Sequence, residues 1–175
     1  MAMLLNDGVR AQRKLLITVA EWDTDTREIL GVRTEDSSIE LNPDIETTTD
    51  VLGITYTDVN KTEPQQDFDP HYIRGGSALC EYLTEAALKN DITAYSQVFT
   101  VYVIAAFMGT EASGSTPATY FAVKHTGCSI IPTALGGDAY NNLPIEVHLS
   151  NNITEGTVDT LATNFVFTPA TTPSV

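Results

Sequence analysis

Between Ile39 and Val51 the chain alternates with a period of two. Ile39, Leu41, Pro43, Ile45, Thr47, Thr49 and Val51 fall on one side, and Glu40, Asn42, Asp44, Glu46, Thr48 and Asp50 on the other. Successive side chains of a strand point to opposite faces, whereas a helix scatters both sets around its circumference. The segment is therefore expected to be one long strand, with a largely apolar face and a face that carries the carboxylates Glu40, Asp44, Glu46 and Asp50. Threonine supplies 25 of the 175 residues. β-branched side chains fit a pleated surface better than a helix, so the composition points the same way.

The rest of the chain extends this pattern. Strands are expected over 15–22, 95–108, 119–131, 143–149 and 157–167. The 95–108 segment is apolar on both sides (Val98, Phe99, Val101, Tyr102, Val103, Ile104, Phe107), as a strand covered on both faces would be. One amphipathic helix is expected from the Gly75-Gly76-Ser77 turn and N-cap to Lys89, with Leu79, Tyr82, Leu83, Ala86 and Ala87 at helical spacing. Residues 1–13 form an arm, 55–70 a long functional loop and 169–175 a tail. With no repeat or interdomain linker, residues 1–175 are expected to form a single domain, a mainly β sandwich or barrel with one flanking helix. Trp22, the one tryptophan, is expected to pack in the core or at an interface.

The formal net charge is −14, from 9 Lys and Arg against 23 Asp and Glu, and Lys124 is the one basic residue after Lys89. A general nucleic-acid binder is excluded, because such proteins neutralise phosphates with clustered cations. No stretch has the length of a membrane span or an export signal, so a soluble, unexported chain is expected. Cys80 and Cys128 lie far apart and are expected to be buried free thiols.

His71, His125 and His148 sit in separate elements without a metal-binding spacing, and neither a nucleophile elbow nor a phosphate loop occurs. No cofactor, metal or enzymatic activity is expected. His71 with Asp67 or Asp69 is the best available catalytic pairing, yet a solvated loop histidine is the expectation there. Carboxylates on alternate positions of one strand lie about 6.6 to 7 Å apart and do not converge on one ion. The acidic stripe is then either a solvated edge-strand face or a surface built to repel polyanions.

In order, the pieces are a basic N-terminal arm, a strand, an acidic alternating strand, a long loop ending Asp67-Phe68-Asp69-Pro70, a helix from Gly75-Gly76-Ser77-Ala78-Leu79, and long Thr-rich strands. This order resembles the major tail tube proteins of tailed bacteriophages, a fold shared with contractile-tail inner tubes and type VI secretion tubes. The resemblance implies a structural virion protein of the tail, made in the bacterial cytoplasm. It implies hexameric rings stacked into a tube through which DNA passes without specific binding. The implied partners are other copies of itself and further tail proteins: tape measure, terminator, and baseplate or distal tail protein. Glu40, Asp44, Glu46 and Asp50 are then candidates for the lumen wall, where they would keep phosphates from adhering. Arg10, Arg13, Lys14, Lys61 and Phe68 are candidates for the subunit and ring interfaces. Competing readings are a monomeric β-sandwich module that binds carbohydrate or protein, and another phage structural part such as a decoration or tail terminator protein.

Overall fold

The computed structural model describes residues 2–23, 26–32, 34, 37–114 and 116–171. Its strands are β1 (Ala2–Met3), β2 (Leu16–Trp22), β3 (Thr26–Ile29), β4 (Ile39–Glu40), β5 (Pro43–Thr49), β6 (Thr55–Thr62), β7 (Gln65–Phe68), β8 (Phe99–Thr110), β9 (Thr119–Pro132), β10 (Ile145–His148), β11 (Ile153–Val158) and β12 (Phe167–Pro169). One α-helix, α1 (Ala78–Lys89), lies between β7 and β8. The fold is mainly β and antiparallel with a single flanking helix, as the sequence leads one to expect.

The body is one antiparallel sheet in the order β3-β2-β8-β9-β10-β7-β4, with β11 also on β9, β12 on β11 and β1 on β8. Strand β9 organises it. Thr119 to Thr126 and Cys128 pair with β8, Tyr120 to His125 also pair with β11, and Ser129 to Pro132 pair with β10. The register slips between Phe99 and Thr100, because Phe99 faces Cys128 while Thr100 faces Thr126. The extra residue is Gly127, at φ +80, and this bulge bends the strand where it passes from β11 to β10.

The bend encloses the larger core. Ala20, Trp22, Phe99 and Val101 from β2 and β8 meet Phe68, Ile145 and Val147 from β7 and β10, with Leu79 and Leu83 of α1 closing the side. The other face of β2 and β8 presents Val19, Tyr102 and Ile104, which Phe165 covers from the loop after β11. The Phe165 ring stands edge-on to Tyr102 at 4.9 Å. Both faces of β8 are thus covered, which accounts for its continuous apolar run, and Trp22 is a core residue. Helix α1 begins where expected: the Ser77 hydroxyl accepts from the Cys80 N–H at 3.1 Å, and the helix stops at Asn90 in the left-handed conformation (φ 53).

Three expectations need correcting. The expected strand over 39–51 is two strands: Asn42 takes φ 43, its side chain donates to the Glu63 carbonyl at 3.2 Å, and the chain breaks there between β4 and β5. Residues 55–70 are not a loop, because they contain β6 and β7. The strand expected over 157–167 is instead the end of β11, a turn, and the start of β12. Asp159 accepts from the Val166 N–H at 2.8 Å across that turn. The arm over 1–13 includes β1, paired with Met108 and Gly109, and of the tail over 169–175 the last four residues lie outside the described residues.

Candidate assembly surface

β5 and β6 form a sheet of their own, a two-stranded hairpin in which every residue of β5 and all of β6 but Thr62 is exposed. The pairing sets its two faces. Ile45 lies opposite Val59, Thr47 opposite Thr57 and Thr49 opposite Thr55, which makes one face uncharged. Asp44 lies opposite Lys61, Glu46 opposite Asp58 and Thr48 opposite Tyr56, which makes the other face acidic. A bulge after Asp44 absorbs Asn60 and keeps the two faces in phase. Among the described residues, both strands have an outer edge without a strand partner. Ile45, Val51, Leu52, Ile54, Tyr56 and Val59 are all at least half exposed. A two-stranded hairpin alone is marginally stable in water, and this one leaves its aliphatic side chains open to solvent.

The structure brings together part of the expected acidic stripe. Asp44 and Glu46 share the charged face of β5. Glu40 belongs to the body, on β4 opposite Gln65, and borders a shallow cleft with Ser37, Ser38, Asp67 and Asp69. The carboxylate of Asp50 closes the hairpin turn, accepting from the Leu52 and Ile54 N–H groups at 2.8 and 2.9 Å and from the Tyr56 hydroxyl at 3.3 Å. Sequence reading missed Asp58, which completes the acidic face from β6. The signal was present as the alternation of Thr55, Thr57 and Val59 with Tyr56 and Asp58, but threonine on the uncharged side obscured it.

The interface candidates divide as well. Arg10 and Lys14 are exposed, whereas the Arg13 guanidinium donates to the Ser37 and Leu16 carbonyls at 2.5 and 2.7 Å and ties the arm to the body. Lys61 on the hairpin donates to Glu63 at 2.5 Å. Phe68 is 1% exposed and packs beneath the sheet, opposite Ile145 on β10, so it is a core residue and not the surface contact expected of it.

His71 is also not the solvated loop residue expected. It is 5% exposed, its ring Nδ1 lies 3.2 Å from the Leu143 carbonyl, and its backbone N–H donates to Asn142 Oδ1 at 2.8 Å. Burial holds its pKa below the ordinary value, since the hydrogen bond to Leu143 only partly offsets desolvation of the cation. Asn142 in turn donates to Asp69 at 3.1 Å, so this cluster anchors the loop before α1 to the strand region after β9. Cys80 and Cys128 are buried free thiols, as expected. Among the described residues no group of three or more His, Cys, Asp or Glu is placed to hold a metal ion, and no helix is long and apolar enough to cross a membrane.

Fold and surface together define a β-rich domain with one flanking helix and a projecting, two-faced hairpin. No family model matches the sequence, and no curated protein matches it. Among solved structures, the chain is similar to one described as the tube-terminating cap of the anti-feeding prophage, determined by electron cryo-microscopy. The match covers 87% of this chain and 95% of that chain at 11% identity, with a TM-score of 0.45.

Proposed function

We propose that the chain is a structural subunit of a phage tail, whose copies close into hexameric rings that stack into the tail tube. The observation that carries this reading is the β5–β6 hairpin, exposed on both faces and, among the described residues, unpaired on both edges. Such an element gains its stability from a neighbouring copy. The absence of any catalytic or metal motif in the sequence fits a structural role, and the order of elements resembles the tail tube family.

In this reading the tube conducts DNA during genome delivery without binding it. The subunit carries a formal charge of −14, and at physiological salt like charges repel over about 8 Å, which keeps phosphates from adhering to the wall. The lumen role proposed for the acidic stripe passes to Glu40, because Asp44 and Glu46 lie on the projecting arm and Asp50 is turned into its own loop. The subunit acts in the virion tail after synthesis in the bacterial cytoplasm, beside a tape measure, a terminator and a baseplate or distal tail protein.

Electron microscopy of the concentrated protein, with particle mass measured in parallel, tests the reading. Rings or tubes with a channel wide enough for a duplex are expected, and deletion of residues 44–61 is expected to abolish them while leaving the body folded. A monomer at every concentration, unaffected by the deletion, would refute the proposal in favour of a monomeric binding module.

A further inference from the structure

Most of the described Lys and Arg side chains are engaged within the chain, and two are not. Arg27 pairs with Glu21, Arg74 with Glu28, Lys89 with Glu85 and Lys61 with Glu63. Arg13 is held by two carbonyls, and Lys124 lies over the Tyr102 ring at 5.7 Å. Arg10 and Lys14, both exposed, have no hydrogen-bond or ion-pair partner among the described residues. In a chain this acidic, two unpaired cations four residues apart on one segment form a distinct feature.

The matching feature of opposite sign is the charged face of the hairpin. Glu46 stands directly opposite Asp58, and like charges in that position destabilise a strand pair. No cation of the same copy lies within ion-pair distance of either one among the described residues. The hairpin therefore carries a repulsion that an external cation would relieve.

The surroundings are complementary too. Lys14 stands at the rim of a cleft of about 270 Å³ whose lining is apolar in part, from Ile17, Ile29 and Leu30, and polar in part, from Thr18, Thr34 and Ser37. The cleft combines a mixed apolar and polar lining with a basic rim, and the hairpin combines exposed aliphatic side chains with an acidic face. We infer that the β5–β6 hairpin of one copy docks along the Arg10–Lys14 segment and the adjoining cleft of a second copy, with Glu46 and Asp58 facing Arg10 and Lys14.

Hairpin and cleft are different patches, so each copy can give its hairpin to one neighbour and receive that of another, a heterologous contact. Association of that kind propagates into a closed ring or an open stack. The inference rests on the structural-subunit reading and names the contact that would build the assembly. Charge complementarity of this type chiefly sets register and rejects wrong pairings.

The test is a charge exchange in the full chain. R10E/K14E and E46K/D58K change only exposed side chains, so both are expected to fold, checked by an unchanged circular dichroism spectrum. Each is expected to raise the concentration needed for assembly at least about tenfold, and the quadruple variant to restore assembly towards that of the original chain. An equimolar mixture of the two double variants is expected to co-assemble, because each hairpin then meets a segment of opposite charge.

Double variants that assemble as the original chain does would overturn the inference, and so would a quadruple variant no better than the doubles. In either case the structural-subunit reading survives, with the acidic hairpin face lining a channel or facing a different protein. If the original chain itself never assembles, that broader reading fails and takes the inference with it.

Discussion

Replacing Glu28 with Gln tests how the helix is tied to the sheet. Glu28 lies on β3, and one of its carboxylate oxygens accepts from Arg74 Nη2 and from the Ser77 hydroxyl, each at 2.6 Å. The other accepts from the Leu79 N–H at 3.2 Å. A carboxylate from a distant strand thus sits on the first turn of α1, where backbone N–H groups lack helical partners and the helix dipole favours negative charge. Burial by itself pushes the carboxyl pKa up. The hydrogen bonds from Ser77, Arg74 and Leu79, with the Arg74 charge, outweigh it and hold the group below its ordinary value of 4.5.

A hydrogen bond to a charged group contributes about 1.5–3 kcal/mol, and Gln retains an acceptor oxygen but loses the charge. The Arg74 side chain is 35% exposed, so water recovers part of the loss, and E28Q is expected to cost about 2 kcal/mol. For a domain of this size that lowers Tm by about 4–8 °C. Because the folded pKa lies below the unfolded one, the unfolded carboxylate takes up the proton first. The contribution is therefore complete above pH 4.5 and is lost as the pH falls through the folded pKa. Thermal melts should show the full gap between the two proteins at neutral pH and a closing gap in acid. Equal Tm values at neutral pH, or a gap independent of pH, would refute the capping argument.

Other consequences are as direct. His71 is expected to stay neutral below pH 6.5 in the folded protein, so the stability it contributes is lost as the pH falls through its lowered pKa; an NMR titration of its ring resonances measures this. Leu83→Ala, at a fully buried position of α1, is expected to cost about 2–5 kcal/mol in denaturant unfolding, against a much smaller loss for the exposed Leu88→Ala. Gly109→Ala is expected to loosen the end of the β8–β9 pairing, read as faster amide exchange there. At φ +156 its new Cβ would lie 2.0 Å from the Thr119 carbonyl oxygen, so the backbone must shift. Cys80 and Cys128 are both buried, and burial also pushes the Cys128 thiol pKa up, so neither is expected to react with a thiol reagent until the chain unfolds.

What the sequence determines by itself is the set of local periods. The helical spacing of Leu79, Leu83 and Ala86 after Ser77, and the apolar run from Phe99 onward, predict α1 and β8 because side-chain direction in a helix or strand depends on the residue's own neighbours. The same holds for the alternation of β10 and for the two faces of β5. Periodicity does not say what covers a face or where a turn breaks a run, and the misreadings here come from those two gaps. Phe68 and His71 sit among acidic and turn residues and look exposed until β10 and Leu143 pack against them. Glu40 follows the same rhythm as Asp44 and Glu46, yet the left-handed turn at Asn42 assigns it to the body while they go to the arm. The threonines of β6 appear as a loop until β5 supplies their partners. Those outcomes depend on contacts made by residues far apart in the chain, and only the tertiary structure brings such residues together.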